Sequence, residues 1–184
     1  MNDACREALQ PLCGMRLSAI GAAADMLWVH FGELTTVPTR SGGMKKVGEW
    51  ALHLQCPWRF VRGGAIVLAS SDFYYDAETG EHHDQDSDRD SVYARHEKLL
   101  SELVDGQKTT VLRIESIEAG AFEIRFAEDL KLSIMPVHST SGPKMESWRF
   151  FQPDRDGPHF VFEEEGEPGG RPNAAEPPPE SGRQ

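Results

Sequence analysis

The chain has 184 residues, enough for one domain of ordinary size with extensions. Its hydrophobic fraction of 39%, with 9 Phe, 4 Trp and 3 Tyr, supplies a single core. A membrane helix needs ~20 uncharged apolar residues, and the longest apolar stretch, 17–31, is broken by Asp25 and His30. A net charge of −11 repels phosphate backbones, so neither a membrane nor a nucleic acid is an expected partner.

That charge is unevenly placed. Residues 72–90 hold eight Asp/Glu against Arg89, a balance of −7. Residues 163–184 hold six Glu against Arg171 and Arg183, a balance of −4, which leaves the rest of the chain neutral. Cys5, Cys13 and Cys56 form no CxxC pair, and their odd number points to reduced thiols in a cytoplasmic setting.

In chain order, residues 1–14 (MNDACREALQPLCG) lack the basic start and apolar core of a secretory signal and read as an N-terminal extension. Residues 17–31 allow two readings. Leu17, Ile20, Ala24, Leu27 and Phe31 suit one face of a helix, whereas Gly21 and the Trp-Val-His-Phe run favour two strands meeting near Ala24 and Asp25. Trp50, Leu52, Leu54 and Cys56 alternate with Ala51, His53 and Gln55, the period of a strand with one buried face, which Pro57 perturbs. Arg62-Gly63-Gly64 turns the chain into another strand over 65–70.

A helix is expected over 91–104. Val92, His96, Leu99 and Leu103 form its apolar stripe, Asp88, Asp90 and Ser91 cap its start, and Gly106 closes it. Between 109 and 136 the pattern returns to period two. Phe122, Ile124 and Phe126 alternate with Glu123 and Arg125, and Leu130, Leu132 and Ile134 alternate with Lys131 and Ser133. Turns at Ala119-Gly120 and Glu128-Asp129 make this a three-strand meander, and late strands are expected over 147–151 and 159–162. From 163 onward nine of 22 residues are Pro or Gly and none is aliphatic or aromatic apart from Ala, the composition of a disordered tail. The expected fold is therefore α+β. One domain over 15–162 holds a mainly antiparallel sheet of about seven or eight strands, covered on one face by the single helix.

Few constellations carry chemistry. Asp86, Asp88, Asp90 and Glu97 occupy positions 1, 3, 5 and 12 of an EF-hand loop, where a hard cation such as calcium would find carboxylates. Ser91 stands where the loop needs Gly, and Tyr93 where it has an aliphatic residue, so a solvated acidic loop capping a helix is the plainer reading. His82 and His83 are adjacent and diverge in an extended chain, which makes a shared metal difficult even with His96 nearby. His53 and Cys56 lie three residues apart on a strand and so face opposite sides, which makes Cys56 a core thiol rather than a nucleophile. No GxSxG, HExxH, GxGxxG or P-loop pattern occurs, and no cofactor is implied. The dipeptides Trp58-Arg59 and Trp148-Arg149 combine two residue types enriched at binding hot spots, although large aromatics also fill cores.

The segment from Gly48 to Phe60 contains LHLQCPWR (residues 52–59) and resembles a family of small bacterial proteins that carry such strings. The strands through Phe122, Leu130 and Trp148 resemble that family's closing strands, so the likeness spans residues 17–151. The resemblance implies no activity and no catalytic residue. In size and acidity these proteins are similar to immunity proteins that neutralise toxins. The function expected is accordingly a non-enzymatic protein-binding module, of immunity or regulatory type. Its acidic loop would meet a basic protein through Asp84, Asp86, Asp88 and Asp90, with Trp58, Arg59, Trp148 and Arg149 as further contacts. The alternative is a metal-ion-binding protein or metal-dependent enzyme built on Asp86, Asp88, Asp90 and Glu97.

Overall fold

The structure, a computed structural model, describes residues 3–39, 41–76, 78–82, 101, 109–138, 145–155 and 157–163. Of the expected helix over 91–104 only Ser101, which is helical and exposed, is described; the rest of it and the tail after 163 lie outside the described residues. The helix that is described, α1 (Asp3–Leu9), stands at the other end of the chain and leads into a 3-10 turn, Gln10–Leu12. Cys5, Leu9 and Leu12 are buried in the main core, at a spacing that puts all three on one helical side. The domain thus begins before residue 15.

Twelve strands follow among the described residues, not the seven or eight expected, in a mainly antiparallel α+β arrangement. They are β1 (Leu17–Ala23), β2 (Met26–Phe31), β3 (Thr35–Pro38), β4 (Met44–Val47), β5 (Trp50–Leu54) and β6 (Trp58–Arg62). After these come β7 (Ala65–Ala69), β8 (Val111–Ser116), β9 (Phe122–Phe126), β10 (Leu130–Ile134), β11 (Glu146–Phe151) and β12 (Phe160–Glu163). One sheet has the order β1-β2-β5-β11-β12 and the other β7-β6-β10-β9-β8, with β3 and β4 forming a separate ribbon. Residues 17–31 are two strands, and Ala23 pairs with Met26 across the turn at Ala24 and Asp25. The strands that sequence reading missed are β3, β4 and β6.

The corner at Pro57 explains the sheet count. β5 and β6 follow one another along the chain yet belong to different sheets. The Gln55 amide still donates to Ser147 O in the first sheet (2.9 Å), while Pro57 O accepts from the Met135 amide beside the second (2.9 Å). Proline has no N–H to leave unpaired, which suits a point where the ladder changes partners. What reads in the sequence as one perturbed strand is a strand that turns a sandwich corner.

The inner faces of both sheets share one hydrophobic cluster. Leu27, Val29, Leu52, Leu54 and Phe150 come from the first sheet, and Phe60, Phe122, Ile124, Leu132 and Ile134 from the second. Fully burying each such side chain contributes roughly 1.5–3 kcal/mol before entropy is counted. The edges are tied as well. Residues 14–17 bond to 109–111, with Gly14 N to Val111 O at 2.8 Å and Leu17 N to Thr109 O at 3.0 Å. On the other side Trp148 Nε1–H donates to Gly120 O at 3.2 Å, and the Phe162 ring lies where a side chain at Gly120 would be. Gly120 is therefore required both by its positive φ of 75° and by this ring contact.

Candidate functional site

Strand register decides which side chains meet on each outer face. On the second sheet one transverse row runs Ile66, Val61, Lys131, Arg125, Arg113, and the next runs Ala69, Arg59, Ser133, Glu123, Glu115. A basic row thus lies against a row ending in two carboxylates, and neighbours across the rows pair. Glu123 Oε1 accepts from Lys131 Nζ at 2.8 Å and from Ser133 Oγ at 2.9 Å, and Glu123 Oε2 accepts from Arg125 at 3.1 Å. Glu115 accepts from Arg125 Nε at 2.5 Å and lies 2.6 Å from Arg113 Nε. Burial pushes the pKa of Glu123 up. The hydrogen bonds from Lys131 and Ser133, with the charges of Lys131 and Arg125, outweigh that and hold it below the usual carboxylate range.

Beside this network lies an open hollow of about 490 Å3, lined by Arg59, Val61, Gly64, Ile66, Arg125, Asp129 and Lys131. Arg59 Nε is buried there and has no hydrogen-bond partner among the described residues. Three cations face one carboxylate in this wall, on a chain whose net charge is −11.

The first sheet carries a different outer face. Trp28, His53, Arg149 and Val161 form one row, and His30, Ala51 and Phe151 the next. The Trp28 and His30 rings are 5.0 Å apart, His53 meets Phe151 edge-on at 4.8 Å, and Phe151 stacks on His159 at 4.3 Å. Burial lowers the His30 pKa to about 4, with Lys45 adding repulsion. His53 is also lowered to about 4, by burial first and then by His30, Arg149 and Lys45, against an opposing pull from Glu146. The Gly48 N–H donates to His30 Nδ1 at 3.3 Å, which fixes a neutral imidazole with its proton on Nε2.

The described part of the acidic region is a built turn. A 3-10 helix, Ser70–Tyr74, leaves β7 with Asp72 Oδ2 accepting from the Ala69 amide at 2.9 Å. Asp76 Oδ1 accepts from the Glu78 and Thr79 amides at 2.8 and 2.7 Å, and Gly80 N donates to Asp76 O at 3.0 Å. Tyr75 pairs with His82, whose ring stacks on Tyr74. Residues 75–82 therefore close on themselves and leave Glu78 and Glu81 exposed.

Comparison with protein-family models, curated proteins and solved structures returned no match.

The expected site residues disperse. Asp84, Asp86, Asp88, Asp90 and Glu97 lie outside the described residues, as do His83 and His96. Trp58 and Trp148 are 1% and 0% exposed, so both rings fill the core and offer no contact surface. Their neighbours point outward on opposite sheets, Arg59 into the hollow and Arg149 against Glu146. His53, Arg59 and Trp148 thus occupy three separate layers. Cys56 is 4% exposed with its thiol pushed up to about 12 by burial, the state of a core thiol. Among the described residues no three His, Cys, Asp or Glu converge on a point that would hold a metal, and no helix is long and apolar enough to cross a membrane. Sequence reasoning missed the hollow because Arg59 and Lys131 are neighbours only through the β6-β10 register.

Proposed function

We propose that the protein is a non-enzymatic binding module that captures a basic protein partner through its acidic segment. The observation that carries this reading is the closed turn formed by Tyr75, Asp76, Gly80, Glu81 and His82, which gives the start of the segment a fixed shape just after the 3-10 helix that leaves β7. Glu78 and Glu81 are exposed on that turn, and Asp84, Asp86, Asp88 and Asp90 follow directly in the sequence. A dense run of acidic side chains steers a basic partner at long range and speeds its association. Arg149 and Arg59 lie on the two outer faces, away from each other, and take no shared part in this contact.

The test is a variant in which Asp84, Asp86, Asp88 and Asp90 are all replaced by Asn. Partner binding is expected to fall at least tenfold and to lose most of its salt dependence, with the thermal unfolding midpoint unchanged. Equal affinity and equal salt dependence in the variant would refute the proposal.

A further inference from the structure

The hollow on the second sheet lies outside the proposed acidic contact and has the opposite sign. Its floor is the basic row, with Lys131 between Val61 and Arg125, and Arg59 stands one register step away. Val61 and Ile66 give it an apolar side, and Ile66 is 58% exposed. A volume of about 490 Å3 falls within the range of small-molecule sites, roughly 300–1,000 Å3.

The cations are held in place without being used up. Arg125 directs Nε to Glu115 and Nη2 to Glu123, and Lys131 directs Nζ to Glu123. A guanidinium has five N–H groups and an ammonium three, so donors remain to face the hollow. Arg59 lines the same wall and makes no ion pair among the described residues. A planar guanidinium beside fixed cations matches the two oxygens of a carboxylate or phosphate, and the apolar wall matches a compact hydrocarbon body.

We infer that this hollow binds a small organic anion, its oxyanion group held by Arg59, Lys131 and Arg125 and its apolar body resting on Val61 and Ile66. Asp129 is the one carboxylate in the wall and weakens binding by repulsion.

Isothermal titration calorimetry on the full chain with phenyl phosphate, benzoate, inorganic phosphate and phenol tests this. Phenyl phosphate or benzoate is expected to bind saturably at one site, the tighter of the two naming the headgroup, with inorganic phosphate weaker and phenol silent. Arg59→Met is expected to weaken the organic anion at least tenfold, and Asp129→Asn to tighten it severalfold. The Asp129 variant keeps the test decisive if the Arg59 variant unfolds. Saturable binding by neither organic anion, equal binding of phenol, or affinities unmoved by both substitutions would overturn the inference.

Discussion

Acid should weaken this fold through His30, and the size of the effect follows from the site. His30 is 8% exposed, accepts the Gly48 N–H on Nδ1, and faces Lys45 and His53. Protonation would place a second donor against the Gly48 N–H and add a charge beside Lys45. The folded-state pKa is about 4 against an ordinary 6.5, so the unfolded chain binds the proton first as pH falls. The stabilisation is therefore complete above the unfolded value and is lost as pH falls through the folded one. At 1.36 kcal/mol per pKa unit, moving from pH 7 to pH 5 withdraws roughly 2 kcal/mol through this one group. Urea unfolding at the two pH values reads the loss. Asn places an acceptor oxygen near the position of Nδ1 without titrating, so His30→Asn should lose about 2 kcal/mol less than the parent over the same interval. Parent and variant falling equally, or an NMR titration placing His30 near its ordinary value, would refute the reasoning.

Two further substitutions probe packing. Ser147 is 1% exposed and its Oγ has no hydrogen-bond partner among the described residues, so Ser147→Ala should raise stability by about 1 kcal/mol in denaturant unfolding. Gly48 sits so close to β2 that an added Cβ would lie 2.5 Å from Phe31 O and 2.9 Å from Phe31 N. Backbone must move to admit it, and Gly48→Ala should destabilise by about 2 kcal/mol or more on the same assay.

Legibility followed the length and regularity of the local pattern. The meander of β8, β9 and β10 was readable because Phe122, Ile124 and Phe126 face Leu132 and its neighbours with strict alternation, and the structure pairs Ile124 with Leu132. The β1-β2 hairpin was readable only as one of two alternatives, because Leu17, Ile20, Ala24, Leu27 and Phe31 also fit one face of a helix. The β3-β4 ribbon was not, because four residues such as Thr35-Thr36-Val37-Pro38 carry too little alternation and stay largely exposed. The α1 helix was hidden for a related reason. Cys5, Leu9 and Leu12 are its whole apolar signal, and only contact with the β-core makes them decisive.

The outer faces show a different limit. Glu123, Arg125, Lys131 and Ser133 were readable as outward-facing residues. Their convergence with Arg59 depends on pairing between strands some seventy residues apart, which no local pattern encodes. His30 and His53 likewise gave no sign of their surroundings, because the Gly48 N–H, the Phe151 ring and the charge of Lys45 come from three other parts of the chain. Trp58-Arg59 and Trp148-Arg149 looked alike as dipeptides, and strand alternation splits each into one core ring and one outward cation.

The central claim is electrostatic capture of a basic protein by the acidic segment. The direct measurement is parallel affinity capture from host lysate with the parent chain and the four-Asn variant, at low and high salt. The account expects one basic protein in near-equal amount with the parent at low salt, lost at high salt and absent with the variant. Recovery of the same proteins by both chains, or a partner retained at high salt, would contradict it.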